Sequence, residues 1–255
     1  MILALDVGNT NITVGLIEGE TLSRHWRLRT VHDQTADEWG ILLRNLLSIG
    51  KLKFDSVDGI IIASVVPPLD STLAAMSRQY FHREPMFVTS ETDTGLRILY
   101  ENPREVGADR IVNGVAAFHT HGGPCIVVDL GTAITFDAVS ANAEYLGGVI
   151  CPGIAMSVQG LFSRTARLPL VDFKEPDRLI GSNTVSSMQS GLYYGIIGMI
   201  DGIVERLKVQ LGPDTRTIAT GGQSDLILHG SKHLSLADPD LTLKGLQLIW
   251  QRNQS

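Results

Sequence analysis

Aromatic residues make up only 6% of this 255-residue chain, and cysteine occurs twice, at Cys125 and Cys151. Both cysteines sit among apolar neighbours and form no CxxC pair, so they read as small buried hydrophobes of a reducing compartment rather than a disulfide or a zinc knuckle. Basic charge is also short: 21 Lys+Arg stand against 27 Asp+Glu, giving a net charge of -6. That balance, with no basic stripe and no helix-turn-helix pattern, argues against a nucleic-acid partner or an anionic membrane surface. Long hydrophobic runs are missing as well. The longest, near residues 60–66 and 125–130, fall far below the roughly 20 residues a spanning helix needs. The start has no basic region and reaches a charge at Asp6, so no secretory signal is expected and the reading is cytoplasmic. Three motifs are absent too. Gly50-Lys51 is followed by Leu52, which removes a P-loop; no GxGxxG follows the first apolar run; and no GxSxG elbow occurs.

What is present is the composition of an ordinary globular protein, 44% hydrophobic and 19% charged. The length suits two modest domains or one large one. Residues 2–6 form a short apolar strand ending in Asp6-Val7-Gly8-Asn9, and β-branched runs at 12–17 and 22–28 extend it into a meander. Trp39, Leu42, Leu43, Leu46 and Leu47 recur at helical spacing over 35–49. A buried strand is expected at 57–66, stopped by Pro67-Pro68, then a helix over 69–81 and a short strand at 86–88. The pattern then restarts. An apolar run at 125–129 ends in Asp129-Leu130-Gly131-Thr132, followed by strands at 134–139 and 145–150. Two related α/β domains are the economical explanation, 1–118 and 119–255, divided near the loop-like His119-Thr120-His121-Gly122-Gly123-Pro124. A long helix over 185–207 carries glycines at 191, 195, 198 and 202, for which close packing is the expected reason.

The repeated Asp-x-Gly turn is where chemistry is expected. Glycine lets the backbone approach a ligand, neighbouring amides and hydroxyls donate to phosphate oxygens, and the aspartate can hold a cation beside them. One such turn is ordinary loop structure. Two, each ending the first strand of its own domain, suit a nucleoside triphosphate clamped between two halves. Gly107-Ala108-Asp109-Arg110 adds a carboxylate able to orient or deprotonate an acceptor hydroxyl and an arginine able to hold an anionic substrate. The plainer reading of Asp109-Arg110 is the first turn of a helix over 110–118, which does not exclude catalysis. Gly147-Gly148, Pro152-Gly153 and Ala219-Thr220-Gly221-Gly222 either line a nucleotide cleft or simply turn the chain. His119 and His121 have no acid or thiol at ligand spacing and read as a solvated loop.

Taken in order, these segments resemble the type III pantothenate kinase family of the acetate and sugar kinase/Hsc70/actin superfamily. The resemblance runs through Asp6-Val7-Gly8-Asn9-Thr10-Asn11, Asn102-Pro103, residues 106–110, Asp129-Leu130-Gly131-Thr132-Ala133, residues 147–153 and the C-terminal stretch 238–246. It implies an α/β fold of two duplicated ribonuclease H-like (actin-like ATPase) domains, each with a central mixed sheet flanked by helices. It implies ATP-dependent phosphorylation of pantothenate to 4′-phosphopantothenate, the first step towards coenzyme A. On that resemblance Asp6, Val7, Gly8, Asn9, Thr10, Asn11, Ile12 and Thr13 form the first phosphate loop, and Thr132 contributes from the second. Asp129 would hold a monovalent cation, K⁺ or NH4⁺, and Asp6 is a candidate for Mg²⁺ with ATP. Asp109 would be the general base; Tyr100, Gly107, Ala108 and Arg110 would line the pantothenate pocket; and Thr184 would reach into the partner's site in a homodimer. Two alternatives stay open at this point: a kinase or phosphatase of the same fold with another acceptor, and a non-enzymatic accessory factor in gene regulation.

Overall fold

The computed structural model describes residues 1–52, 54–165 and 167–254. The chain forms two compact units. One comprises Met1–Gly95, Glu101–Ala116 and the chain from Thr242 onward; the other comprises Leu96–Tyr100 and Ala117–Leu241.

In the first unit β1 (Ile2–Val7), β2 (Asn11–Glu18) and β3 (Thr21–Arg29) make an antiparallel meander, followed by α1 (Ala36–Ile49), β4 (Gly59–Ser64), α2 (Pro67–Met76) and β5 (Met86–Phe87). The sheet order is β3-β2-β1-β4-β5, with β4 parallel to β1. Successive strand residues point to opposite faces, so Leu3, Leu5 and Val7 enter one core with Trp39, Leu43 and Leu47 of α1 and Leu69 and Leu73 of α2, while Asp6 falls on the other face. α1 starts where the Thr35 hydroxyl caps the Glu38 amide and the Glu38 carboxylate returns to the Thr35 N–H. α2 begins two residues earlier than expected, because Pro67 has no N–H to leave unsatisfied at a helix start. It ends at Met76, and the remainder of the expected helix is a π-helical turn, Ser77–Phe81, closed by His82 in the left-handed region.

The second unit repeats this order. β6 (Arg97–Ile98) precedes it; β7 (Cys125–Leu130), β8 (Ala133–Val139) and β9 (Glu144–Pro152) form the meander, followed by α4 (Ile154–Ser163), α5 (Thr184–Leu211), β10 (Arg216–Thr220), α6 (Ser224–Gly230) and β11 (Leu236–Ala237). Its sheet order, β11-β10-β7-β8-β9-β6, reproduces the first sheet strand for strand and adds β6 at the far edge. The two sheets share even their register: Asp6 lies opposite Thr13 in one, and Asp129 opposite Thr135 in the other.

α3 (Ala108–His121) is longer than expected at both ends, so His119 and His121 belong to its last turn and only Gly122–Pro124 remain as a loop. A last helix, α7 (Leu241–Arg252), packs in the first unit. The expectation of close packing around the α5 glycines is corrected: a β-carbon on Gly191, Gly195 or Gly198 would meet nothing within 4 Å, and one on Gly202 would meet only the side chain of Arg206. Both cysteines are free thiols, and burial pushes that of Cys125 up to about 12. Among the described residues no helix is long and apolar enough to cross a membrane.

Candidate active site

In the first unit the turn after β1 is fixed by backbone hydrogen bonds. The Gly8 amide donates to the Asn11 carbonyl at 3.0 Å, the Thr30 hydroxyl donates to the Gly8 carbonyl at 2.5 Å, and the Thr30 amide donates to the Thr10 carbonyl at 3.0 Å. The end of β3 thus clips the turn from outside, which leaves Asn9 and Thr10 exposed at its tip. Asp6 and Thr13, opposite each other on β1 and β2, share the sheet face away from the α1–α2 core.

Asp109 and Arg110 sit in the first turn of α3, where backbone amides lack intrahelical partners. The Asp109 Oδ1 accepts from the Arg110 amide at 2.8 Å. Desolvation pushes the Asp109 carboxyl above the usual carboxylate range, against the opposing pull of that amide and of the Arg110 charge. Arg110 is itself buried. Gly107 is required by this geometry, since a β-carbon there would fall 2.5 Å from Asp109 Oδ1 and 3.3 Å from Val65 Cγ1. Val65 in turn donates its amide to the Val7 carbonyl at 3.0 Å. The segment 107–110 therefore packs at the same end of the parallel β1–β4 pair as the Asp6 turn. The preceding loop is tied down by Asn102, which caps Arg104 and donates to Glu105 at 2.8 Å.

In the second unit Asp129, the next-to-last residue of β7, lies beside Thr220 of β10. The Gly131 amide closes the turn on the Ala133 carbonyl at 3.1 Å, and Thr132 is exposed. Two glycines press on this turn. A β-carbon on Gly153 would collide with the Thr132 backbone, and one on Gly221 would lie 2.9 Å from Asp129 Oδ1. Tyr100, just beyond β6, rests on Gly147, whose β-carbon would come within 3.2 Å of its ring, and its ring centroid is 6.4 Å from that of Tyr145. Tyr145 is fully buried and donates its hydroxyl to Asp137 at 2.7 Å; Thr135 donates to the other oxygen of that carboxylate at 3.1 Å. Thr184 is the first residue of α5, after the Asn183 cap, and borders a groove of about 710 Å³ with Leu161, Leu168, Met188 and Leu192.

The structure thus groups residues 6–13 with 107–110, Asp129 with Thr132, Gly153 and Gly221, and Tyr100 with Gly147. Thr184 lines a groove that includes none of the other residues the sequence assigns to catalysis, ATP, pantothenate or a cation. Sequence reasoning missed Thr30, Asp137 and Tyr145, whose roles depend on partners in other strands and leave no local motif. Among the described residues no group of three or more His, Cys, Asp or Glu side chains forms a metal cluster.

The chain matches the family model described as type III pantothenate kinase over residues 2–206. It is 64% identical over 253 residues to a type III pantothenate kinase of Solibacter usitatus, covering 99% of this chain and 97% of that protein. Among solved structures it superposes on a Campylobacter jejuni protein described as a Baf family transcriptional activator, with a TM-score of 0.63 and 21% identity over 99% of this chain and 98% of that one. It also superposes on a Sinorhizobium meliloti protein described as a 2-dehydro-3-deoxygalactonokinase, with a TM-score of 0.61 and 12% identity over 99% of each chain. At those identities the likeness is one of fold, the two-sheet architecture of actin-like ATPases and sugar kinases.

Proposed function

Because the chain belongs to the type III pantothenate kinase family, kinases acting on an alcohol group in coenzyme A biosynthesis, we propose that it transfers the γ-phosphoryl group of ATP to the pantothenate hydroxyl, with Asp109 as general base. The observation that carries this is the Asp109 carboxyl. Burial raises its proton affinity above that of an ordinary carboxylate, the direction that strengthens a general base. Gly107 keeps the space beside it clear. Arg110 supplies a planar, permanently charged fork for the pantothenate carboxylate, and Tyr100, on the second unit, is read as a further substrate residue.

Phosphoryl transfer leaves little covalent work for the protein, so positioned donors supply most of the acceleration. The Asp6–Thr13 turn is suited to such positioning, because its tip is exposed at Asn9 and Thr10 while Thr30 holds the backbone beneath it. Thr132 offers a second exposed hydroxyl on the matching turn. The donor set at Asp129 is of hard oxygens, its carboxylate and the Leu130 carbonyl, both brought against Gly221, and it fits a monovalent cation; Asp6 fits Mg²⁺ accompanying ATP. Such cations, when bound, offset phosphate charge.

A homodimer is part of the reading. The second unit carries exposed Leu161, Phe162, Leu170, Leu179, Ile180 and Val185, with Ile180 82% exposed. Exposed apolar side chains of this size are of the kind a second copy covers. The proposal is tested by ATP-dependent phosphorylation of pantothenate by purified protein in potassium and in sodium. Turnover that needs potassium is expected; a folded, dimeric protein with no turnover in either salt overturns the proposal.

A further inference from the structure

The C-terminal stretch 238–246 has no part in the reaction as read above, and it lies beyond the 2–206 span of the family match. Its structure is nevertheless tightly specified. Leu241, Leu243, Leu246 and Ile249 of α7 are buried. Three glycines, on three different elements, make room for this helix. A β-carbon on Gly15 of β2 would fall 2.8 Å from Leu243 Cδ2, one on Gly59 of β4 would collide with the Trp250 ring, and one on Gly245 of α7 itself would collide with the Val112 carbonyl of α3. Gly15 shares its sheet face with Thr13, and Gly59 lies opposite Ile2, on the face shared with Asp6. α7 therefore lies against the Asp6 face of the sheet on one side and against α3 on the other.

The polar contact points the same way. The Thr242 hydroxyl donates to the Asn113 Oδ1 at 2.7 Å, and Asn113 is fully buried. Asn113 stands four residues after Asp109, so the two side chains lie on one face of α3, a turn apart. We infer that α7 positions the general base: Thr242 and Gly245 fix the depth at which the first turn of α3 sits above the sheet that carries the Asp6 turn. They are positioning residues, acting through Asn113 and the Val112 backbone, and touch no reacting atom. The inference rests on the reading of Asp109 as base.

The experiment is steady-state kinetics on the full chain with Thr242→Val, Thr242→Ser and Asp109→Asn, alongside thermal melts. Misplacing a catalytic group by a fraction of an ångström lowers the chemical step, and Thr242→Val is expected to lower kcat about tenfold. The KM for ATP should stay within about twofold, since the Asp6 turn is held by Thr30, while Thr242→Ser restores kcat. If valine is not accommodated, Thr242→Ala removes the hydroxyl without added bulk and is read in the same way. Wild-type kcat in a folded variant lacking the hydroxyl overturns the inference. So does a loss that raises the KM for ATP equally and that serine does not rescue, because that is general destabilisation. Wild-type turnover by Asp109→Asn instead sinks the base assignment, whatever Thr242→Val shows.

Discussion

Gly221 approaches Asp129 so closely that a β-carbon on it would lie 2.9 Å from the carboxylate Oδ1 and 2.8 Å from the Leu130 carbonyl oxygen. Its φ of +92° is one that side-chain-bearing residues rarely adopt. Gly221→Ala therefore carries both a backbone cost of roughly 1–2 kcal/mol and a displaced carboxylate. The expected result is a much higher potassium concentration for half-maximal activation, with the protein still folded. A potassium titration of turnover reads it, and an unchanged titration moves the cation away from Asp129.

Asp109 gives a prediction with a definite sign. Burial holds its folded-state proton affinity above the ordinary value. A carboxyl raised in this way favours the folded state when protonated and loses that contribution as pH rises through the folded value. Above the ordinary carboxylate range the buried Asp109 thus costs stability that a neutral isostere does not. Asp109→Asn should melt at a higher temperature than the wild type at pH 7.5, with the gain shrinking as pH falls towards about 4. The same variant should lose nearly all turnover. In the wild type the acid limb of kcat/KM should lie above the ordinary carboxylate range; a limb within that range contradicts the base role.

Part of this site is legible in one dimension because its signals are local. The two meanders announce themselves through short apolar and β-branched runs and Asp-x-Gly turns, and α1 through its apolar spacing over 35–49. The chemistry of residues 107–110 is equally local, since Gly107 exists for the side chain two positions on. What the sequence conceals depends on distant partners. Thr30 reads as the end of a strand until its hydroxyl is found on Gly8. The α5 glycines suggest tight packing, yet three of them face open space, because periodicity says where a small residue stands and not what lies opposite. Gly15, Gly59 and Gly245 have the reverse history: scattered along the chain, they become one feature only when α7 packs among them.

Tyr145 and Gly147 separate stability from binding on a single strand. Tyr145→Phe keeps the ring beside Tyr100 but leaves the fully buried Asp137 without that donor. A loss of about 1–3 kcal/mol in urea unfolding is expected, with the KM for pantothenate little changed. Gly147→Ala places a β-carbon 3.2 Å from the Tyr100 ring at a φ of +112°, so Tyr100 must move. There the KM for pantothenate should rise several-fold. Equal pantothenate KM in both variants removes Tyr100 from the substrate pocket.

Thr30→Val tests whether the first turn is preorganised. Valine matches threonine in shape, so the buried packing at this position survives, while the Gly8 carbonyl loses the hydroxyl that donates to it at 2.5 Å. The Thr30 amide still holds Thr10, so the turn loosens at one end rather than melting. A hydrogen bond of this kind contributes about 1 kcal/mol, which corresponds to roughly fivefold in affinity. The KM for ATP should rise by about that factor, while the KM for pantothenate should hold, because residues 107–110 reach the sheet through Val65 and not through Thr30. Parallel rises in both constants would mean that the turn and the α3 start respond as one body, and ATP affinity equal to wild type would mean that the phosphates do not rest on this turn.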